Sequence, residues 1–591
     1  MKEGVAIPVQ TGWPTLGMLD LHPPVETANP WLDSLFRAAR RLMNAFAFLG
    51  LLFLALDPDL HTKGWYNTAK ALLALPVNAI FLLHLGLGLL RSRSVFSFFR
   101  DFPLDLIFFL PLFTMTFGGV HPTHILVVRQ FIHYFNRYLE QSTLSNLAQS
   151  ISERPARLIA MSFAGVILSG AFLLVLPVSV SPDFTPSFLT ALFTSTSAVC
   201  VTGLNVIDPG TYFTLFGQIV VLCLIQIGGL GIMTMSAGVA MIVGKRIGIS
   251  QRSVMQNVLD QSDLAGLRNI LRDIIRWTLI VEAAGALILG FRFHAILACT
   301  PRRAAYLGVF HAVSAFCNAG FALFPDNLMS YAWDPIVNFT VMGLIVAGGL
   351  GFAVLGVLNA WLMGNRRGPA DVHTRVVVIM TLLLILIGTV IIYFLEFAAP
   401  SMQTLNGPEK LMAALFQSVT TRTAGFNTID IGAMRSSSLF FMVILMFIGA
   451  SPASTGGGIK TTTLAVMLLA LDSQMKGETE VTVYERSIPA DIVLKSFLIT
   501  AISATLVAFY TFFLTLTEDQ DLVRLLFETA SAFGTVGLSA NLTPSLSSIG
   551  RLLIISLMFI GRIGPLTLAL SVRAPVKRGD VRYPTTRILV G

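Results

Sequence analysis

Four short stretches of this chain share one layout, a run of small and apolar residues that closes on a glycine. They are TALFTSTSAVCVTGLNV (190–206), GVFHAVSAFCNAGFAL (308–323), ALFQSVTTRTAGFNTID (414–430) and LFETASAFGTVGLSA (526–540). Aligned on the shared glycine they give Gly203, Gly320, Gly425 and Gly537, separated by 117, 105 and 112 residues. The residues leading into the four glycines are Cys200, Val201 and Thr202; Cys317, Asn318 and Ala319; Arg422, Thr423 and Ala424; and Gly534, Thr535 and Val536. The chemistry open to such stretches is that of the main chain. Carbonyl oxygens turned toward one axis can replace the hydration shell of a cation. Successive carbonyls face one axis only if the backbone alternates in handedness, and glycine enters positive φ without a Cβ clash. A helix ending just before each stretch would also direct its partial negative charge at the centre, so no acidic side chains are needed to attract a cation.

The elements that must position these stretches are legible around them. Each has roughly ten apolar residues before its glycine, too few to cross a bilayer and therefore re-entrant or interfacial. Irregular backbone at membrane depth is tolerated inside protein or against a water-filled cavity. On either side lie long apolar helices, expected at 158–177 and about 212–243, 270–292 and about 335–363, 374–396 and about 438–470, and 490–516 and about 549–572. Spacing and flanks together make this a four-fold internal repeat. The expected boundaries are 151–260, 261–367, 368–485 and 486–575, preceded by an extension over 1–150 with three or four membrane helices and followed by a tail over 576–591.

Composition agrees. Of 591 residues 54% are apolar and 12% charged, with a net charge of +8, whereas a soluble domain carries about 25% charged residues. A water-soluble enzyme is excluded. The basic pI of 9.4 reads as Lys and Arg in cytoplasmic loops, not as a nucleic-acid footprint. Lys245, Arg246, Arg366, Arg367, Lys476, Arg573 and Lys577 all lie at the ends opposite the glycine stretches, which puts those stretches at the outer face and gives all four units one topology. The expected fold class is therefore an all-α polytopic membrane protein of four parallel helix–pore loop–helix repeats around a central pore. It sits in the cell membrane among lipid, with both termini cytoplasmic. The four cysteines show no disulfide or zinc spacing, and no HExxH, GxGD or paired intramembrane aspartates offer a catalytic centre.

SAVCVTGL, SAFCNAGF, VTTRTAGF and SAFGTVGL, with GASPASTGGGIKTTT (449–463) and FIGRIGPLTL (559–568), resemble the Trk/Ktr/HKT superfamily of potassium transporters, in particular the KtrB- and TrkH-type membrane subunits. The resemblance covers about 155–575. It implies one chain with four filter loops around a potassium pathway and no cofactor in the chain itself. Flow is either passive or coupled to sodium or protons. Serine in place of the first filter glycine is linked to sodium transport in plant relatives; all four positions here are glycine, which favours potassium. The resemblance also implies a homodimer with a separate cytoplasmic ring of nucleotide-binding subunits of KtrA/TrkA type. It places a gating loop at 449–463, with Gly456, Gly457, Gly458 and Lys460, facing Arg562.

Independently of the resemblance, Gly, Ser and Pro interrupt the helix expected across 449–463. Arg562 stands in the middle of the last apolar run, where an arginine costs ~2.5–3.5 kcal/mol on insertion scales and faces a cavity or a partner. Arg422 is expected to turn into a salt bridge with Glu528 or an aspartate. Glu282 and Glu396, placed near the outer ends of their helices, divide evenly between structural and vestibule roles. In the extension, Arg129, His133 and Arg137 share one helix face near Asp105, an arrangement that suits a packing or regulatory module better than a voltage sensor. The rival classes are an ion-coupled secondary transporter with a midplane site, which inverted repeats would signal, and a non-transporting membrane sensor.

Overall fold

The computed structural model describes residues 155–244, 264–362 and 371–565, with isolated positions elsewhere. The chain divides into two units, Met1–Ser142 and Thr143–Gly591, and the helices below all belong to the second. The extension with Arg129, His133 and Arg137, and the tail over 576–591, lie outside the described residues.

Long helix, short helix, glycine loop and second helix recur four times. The first unit is α1 (Pro155–Leu174), α2 (Phe188–Val199) and α3 (Leu215–Gly244). The second is α4 (Leu264–Leu297), α5 (Pro301–Phe316), α6 (Pro335–Leu350) and α7 (Phe352–Leu362). The third is α8 (Val372–Glu396), α9 (Gly407–Thr420), α10 (Ser436–Phe447) and α11 (Thr461–Met475). The fourth is α12 (Ala490–Thr517), α13 (Leu522–Gly534) and α14 (Ser548–Ile563). Among the described residues, Arg272–Leu297, Val372–Glu396 and Ala490–Thr517 are long and apolar enough to cross a membrane, and the bent pair α6–α7 makes a fourth span. The protein is an all-α membrane protein.

The short helices hold 12 to 16 residues, or roughly 18–24 Å at 1.5 Å per residue, less than the ~30 Å hydrocarbon core. Their starts are fixed locally. Thr300 precedes Pro301 at the first helical position, and Asn406 N donates to Glu409 Oε2 at 2.8 Å. Each buries a phenylalanine completely at a corresponding position, Phe193, Phe310, Phe416 and Phe527. This ring stands ten residues before the glycine in units one, two and four, and nine before it in unit three.

Two second helices are not the continuous elements expected, and a third is interrupted where interruption was expected. The helix predicted across about 335–363 turns by 108° between α6 and α7, at Gly351 with φ 90°. A Cβ there would lie 2.5 Å from Pro452 O, so the break brings two backbones together. The second helix of unit three is interrupted between Phe447 and Thr461, as its composition suggests, although Thr461–Thr463 already belong to α11. The helix predicted across about 549–572 stops at Ile563, with Gly564 at φ 90°. Arg562 therefore sits in a last turn and not at a helix middle.

A hairpin that the hydropathy pattern gave no hint of joins α11 to α12. Its strands β1 (Val481–Val483) and β2 (Arg486–Ile488) pair antiparallel, Val481 opposite Ile488. Tyr484 and Glu485 both take positive φ, the twist a two-residue hairpin loop requires. Arg375 lies 5.3 Å from the Tyr484 ring centre.

Replacing Gly351 with valine should destabilise the protein by about 1–3 kcal/mol through backbone strain, read as a lowered thermal unfolding midpoint in detergent. Valine at Gly343, where an added Cβ meets no atom within 4 Å, is the control and should leave the midpoint unchanged.

Candidate functional site

The four glycine loops meet. A Cβ built on Gly203 would fall 2.5 Å from Ala319 O and 3.0 Å from Gly320 Cα; on Gly320, 2.8 Å from both Ala424 O and Gly425 Cα; on Gly425, 2.6 Å from Val536 O and 3.2 Å from Gly537 Cα. One on Gly537 would strike Thr202 O and come within 3.0 Å of Gly203 Cα. Each glycine thus abuts the main chain of the next unit, and the fourth returns to the first. Side chains have no room inside this ring.

The backbone alternates in all four loops. Gly203, Gly320, Gly425 and Gly537 have φ of 94°, 69°, 77° and 95°, and the residues two before them, Val201, Asn318, Thr423 and Thr535, have φ of 55°, 60°, 64° and 50°. The residue between is not left-handed, so successive peptide planes turn in opposite senses. Left-handed backbone is uncommon outside glycine and strained for β-branched Val201, Thr423 and Thr535. Its recurrence at one position of four loops that carry different residues there marks a shape that the tertiary structure imposes.

A hydroxyl holds each loop closed. Ser197 Oγ accepts from Gly203 N at 3.0 Å and Ser531 Oγ from Gly537 N at 3.1 Å, while Ser314 Oγ donates to Phe321 O at 2.8 Å and Thr420 Oγ1 to Phe426 O at 2.6 Å. In units one, two and four the residue before the glycine bonds back five positions, Thr202 N to Ser197 O, Ala319 N to Ser314 O and Val536 N to Ser531 O; in unit three Ala424 N bonds back four, to Thr420 O. Unit three enters its loop one residue sooner, matching its phenylalanine offset. The sequence reading passed over these hydroxyls, though three serines stand six before the aligned glycine.

Glycine also lets the second helices approach. A Cβ on Gly228 would strike Val199 O, one on Gly348 Phe316 O and one on Gly561 Phe533 O, each the backbone at the end of that unit's own short helix. Small residues at such contacts are how helices pack closely in lipid. In unit three the corresponding Gly449 meets Gly457 O instead, because the chain has left the helix there.

The interrupting segment, 448–460, lies against the glycine loops. A Cβ on Gly456 would meet Thr423 Oγ1, and one on Gly457 would meet Thr535 Oγ1. Thr455 Oγ1 donates to Phe316 O at 3.3 Å. The broken helix of unit two anchors it: Ser451 N donates to Gly349 O at 3.1 Å, Thr455 N to Gly348 O at 3.3 Å, and Phe352 N to Ala453 O at 3.1 Å. The bend at Gly351 frees those helix-end carbonyls, which is what the break is for. From the far side, the Arg562 guanidinium donates to Thr455 O, and to Gly228 O at 2.6 Å. Lys460 Nζ donates to Gly456 O at 2.7 Å. Gly456, Gly457, Lys460 and Arg562 are therefore brought together, and Gly458 takes φ 66° beside Gly449.

Two placements differ from the sequence reading, those of Arg422 and Glu282, and Glu396 lies at its helix end as expected. Arg422 is buried, but no ion pair forms with it among the described residues and its Nε has no partner. Glu528 accepts instead from Ser539 Oγ, and from Thr543 Oγ1 at 2.9 Å, so neutral hydroxyls satisfy it. Glu396 ends α8 and accepts from Ser401 Oγ, Ser438 Oγ and Arg435 N, which makes it structural. Glu282 is not near a helix end. It lies fifteen residues before Leu297, roughly 22 Å along the axis, and touches Cys317.

A membrane protein with four re-entrant helices converging on one glycine ring is the class that fold and site define. Residues 136–578 match the TrkH family, cation transport protein, and the chain belongs to that family. It is 42% identical over 439 residues to Ktr system potassium uptake protein B of Bacillus subtilis, covering 74% of this chain and 97% of that protein. To Potassium/sodium uptake protein NtpJ of Enterococcus hirae it is 35% identical, covering 74% and 97%. The crystal structure of the potassium transporter TrkH from Vibrio parahaemolyticus shares the fold with a TM-score of 0.57 at 17% identity, covering 93% of this chain and all of that one.

Alanine at Ser197 or Ser531 leaves a buried glycine N–H without its acceptor, at a cost of about 1–3 kcal/mol. Both variants should lower the unfolding midpoint of the purified protein, and an unchanged midpoint would show that the hydroxyls do not hold the loops.

Proposed function

We propose that this protein carries potassium into the cell through a filter of main-chain carbonyls supplied by the four glycine loops. The observation that carries the reading is the closed ring of Gly203, Gly320, Gly425 and Gly537 with left-handed backbone two residues earlier in every loop. Alternating peptide planes can present stacked oxygens to a dehydrated monovalent cation. The lining is Cys200 to Gly203, Cys317 to Gly320, Arg422 to Gly425 and Gly534 to Gly537. Helices α2, α5, α9 and α13 end at the ring and lend it their partial negative charge. Potassium uptake is named for the relatives from Bacillus subtilis and Enterococcus hirae, the latter also for sodium.

The segment 448–460 is the gate in this reading. Its glycines seat directly against Thr423 and Thr535 of two loops, and Arg562 ties it to Gly228 of unit one. The plug is held by several hydrogen bonds from unit two and by the Arg562 guanidinium of unit four, so a small shift of either unit loosens it. Lys460 adds a positive charge next to the same carbonyls and opposes entry of a second cation while the segment is closed.

The protein acts as a homodimer in the cell membrane, with both termini cytoplasmic and a separate nucleotide-binding ring controlling the gate. Flow is driven by the membrane potential alone or coupled to sodium or protons. The extension over 1–150 is a packing or regulatory module.

Two measurements in liposomes test this. Gly203→Ser places a side chain where the Cβ already meets Ala319 O, and should reduce discrimination between potassium and sodium in tracer uptake; an unchanged ratio removes the filter assignment. Deleting 452–458, or Arg562→Ala, should raise uptake in the absence of any regulatory partner, and basal flux equal to the parent protein would remove the gate assignment.

A further inference from the structure

The main-chain oxygens of 201–203, 318–320, 423–425 and 535–537 are what the ring can offer an ion. Among the described residues only one of them accepts a hydrogen bond, Gly203 O, from Asn205 Nδ2 at 3.1 Å. That glycine is thereby held at both of its polar atoms, because Ser197 Oγ accepts from its N–H at 3.0 Å. In unit four Ser531 Oγ accepts from Gly537 N at 3.1 Å in the same way, but no donor among the described residues reaches Gly537 O. The first loop is tied where the fourth is open.

The side chains two places after the glycines explain the difference. They are Asn205, Ala322, Asn427 and Ser539. Ala322 has nothing to donate. Asn427, the same residue type as Asn205, turns its amide onward to Ile429 O at 3.0 Å, and Ser539 Oγ donates to Glu528. Asn205 alone turns back to the carbonyl of its own glycine. A side chain that merely closes a turn uses its oxygen. Asp208 and Asp430 do so, their Oδ1 atoms accepting from Gly210 N at 3.0 Å and Gly432 N at 2.9 Å. Asn205 Oδ1 is instead buried without a partner, a costly arrangement for a polar atom. The amide is oriented for what its nitrogen does.

We propose that Asn205 is a specificity-determining residue that acts by positioning: its amide fixes Gly203 O, so that one oxygen of the ring can neither swing away from potassium nor close in on sodium. This rests on the filter reading above. A carbonyl oxygen has two lone pairs, so Gly203 O can accept from Asn205 and still face an ion. Discrimination among monovalent cations turns on the placement and field of such oxygens. A smaller ion gains more from an oxygen free to follow it inward, because Coulomb attraction grows as the distance falls. The hydrogen bond also draws on the same electron density and weakens the pull of that oxygen. Both effects work against sodium, and neither requires Asn205 to touch the ion.

The test is tracer uptake of potassium and of sodium into liposomes containing the full-length protein. Asn205→Leu keeps the size and removes the donor. It should lower the ratio of potassium to sodium uptake roughly two- to ten-fold, the worth of one neutral hydrogen bond, through the KM values and not through the maximal rate for potassium. Asn427→Leu makes the same change in unit three, where the amide faces Ile429 O and not the ring, and should keep the parent's ratio. An unchanged ratio in Asn205→Leu overturns the proposal. So does an equal fall in Asn427→Leu, the mark of a general loosening around the loops. Should the leucine variant not fold, Asn205→Ala is read in the same assay with the same expected fall, and an unchanged ratio there overturns the proposal equally. Failure of the filter reading itself would look different, because Gly203→Ser would then leave the ratio unchanged. A fault in this proposal alone leaves Gly203→Ser effective and Asn205→Leu silent.

Discussion

The rest of the structure depends on four lengths of bare backbone being able to touch. At Gly203, Gly320, Gly425 and Gly537 a side chain would fall on the main chain of the neighbouring unit, so the ring closes only because each of those positions lacks one. This is a packing constraint before it is a functional one. Lipid offers no hydrophobic drive for helix association, and close van der Waals approach must supply the cohesion. The same economy extends outward to Gly228, Gly348 and Gly561, which let the second helices reach the bases of the short ones.

Once the ring exists, the departures from four-fold regularity carry the specialisation. Unit three enters its loop one residue early, replaces a packed helix with the segment 448–460, and leaves Arg422 buried without an ion pair among the described residues. Unit two bends by 108° at Gly351 so that the carbonyls of Gly348 and Gly349 can hold that segment. Unit four ends a helix one residue after Arg562, which lets the guanidinium reach Thr455 O and Gly228 O together. Three units thus deform around one segment, while unit one contributes an acceptor from a helix that stays continuous.

Much of the site was legible in the sequence because its signals are local. The glycine alignment, the shortness of the segments before it and the Gly–Ser–Pro interruption at 449–463 each follow from residue type and spacing. The bend at Gly351 was not legible. GGLG within an apolar run reads as a tolerated helix glycine, and nothing nearby in the chain reveals that Pro452 and Ala453 will arrive to fill the gap. Arg422 was misjudged for a similar reason: Glu528 is a plausible partner by charge, but Ser539 and Thr543, eleven and fifteen residues after it, reach it first through a local turn. The hairpin at 481–488 escaped because strands of three residues leave too little pattern to read.

What the sequence determined by itself is the class of protein and the count and order of its units. Apolar run length, charge asymmetry and repeat spacing are additive along a chain and survive without knowledge of any contact. What only the tertiary structure decided is which backbones meet, that left-handed geometry falls on Val201, Asn318, Thr423 and Thr535 as well as on glycine, and that Glu282 lies behind Cys317 and not at a helix end. Those facts depend on residues tens to hundreds of positions apart competing for the same few ångströms, and a linear pattern holds no record of who wins.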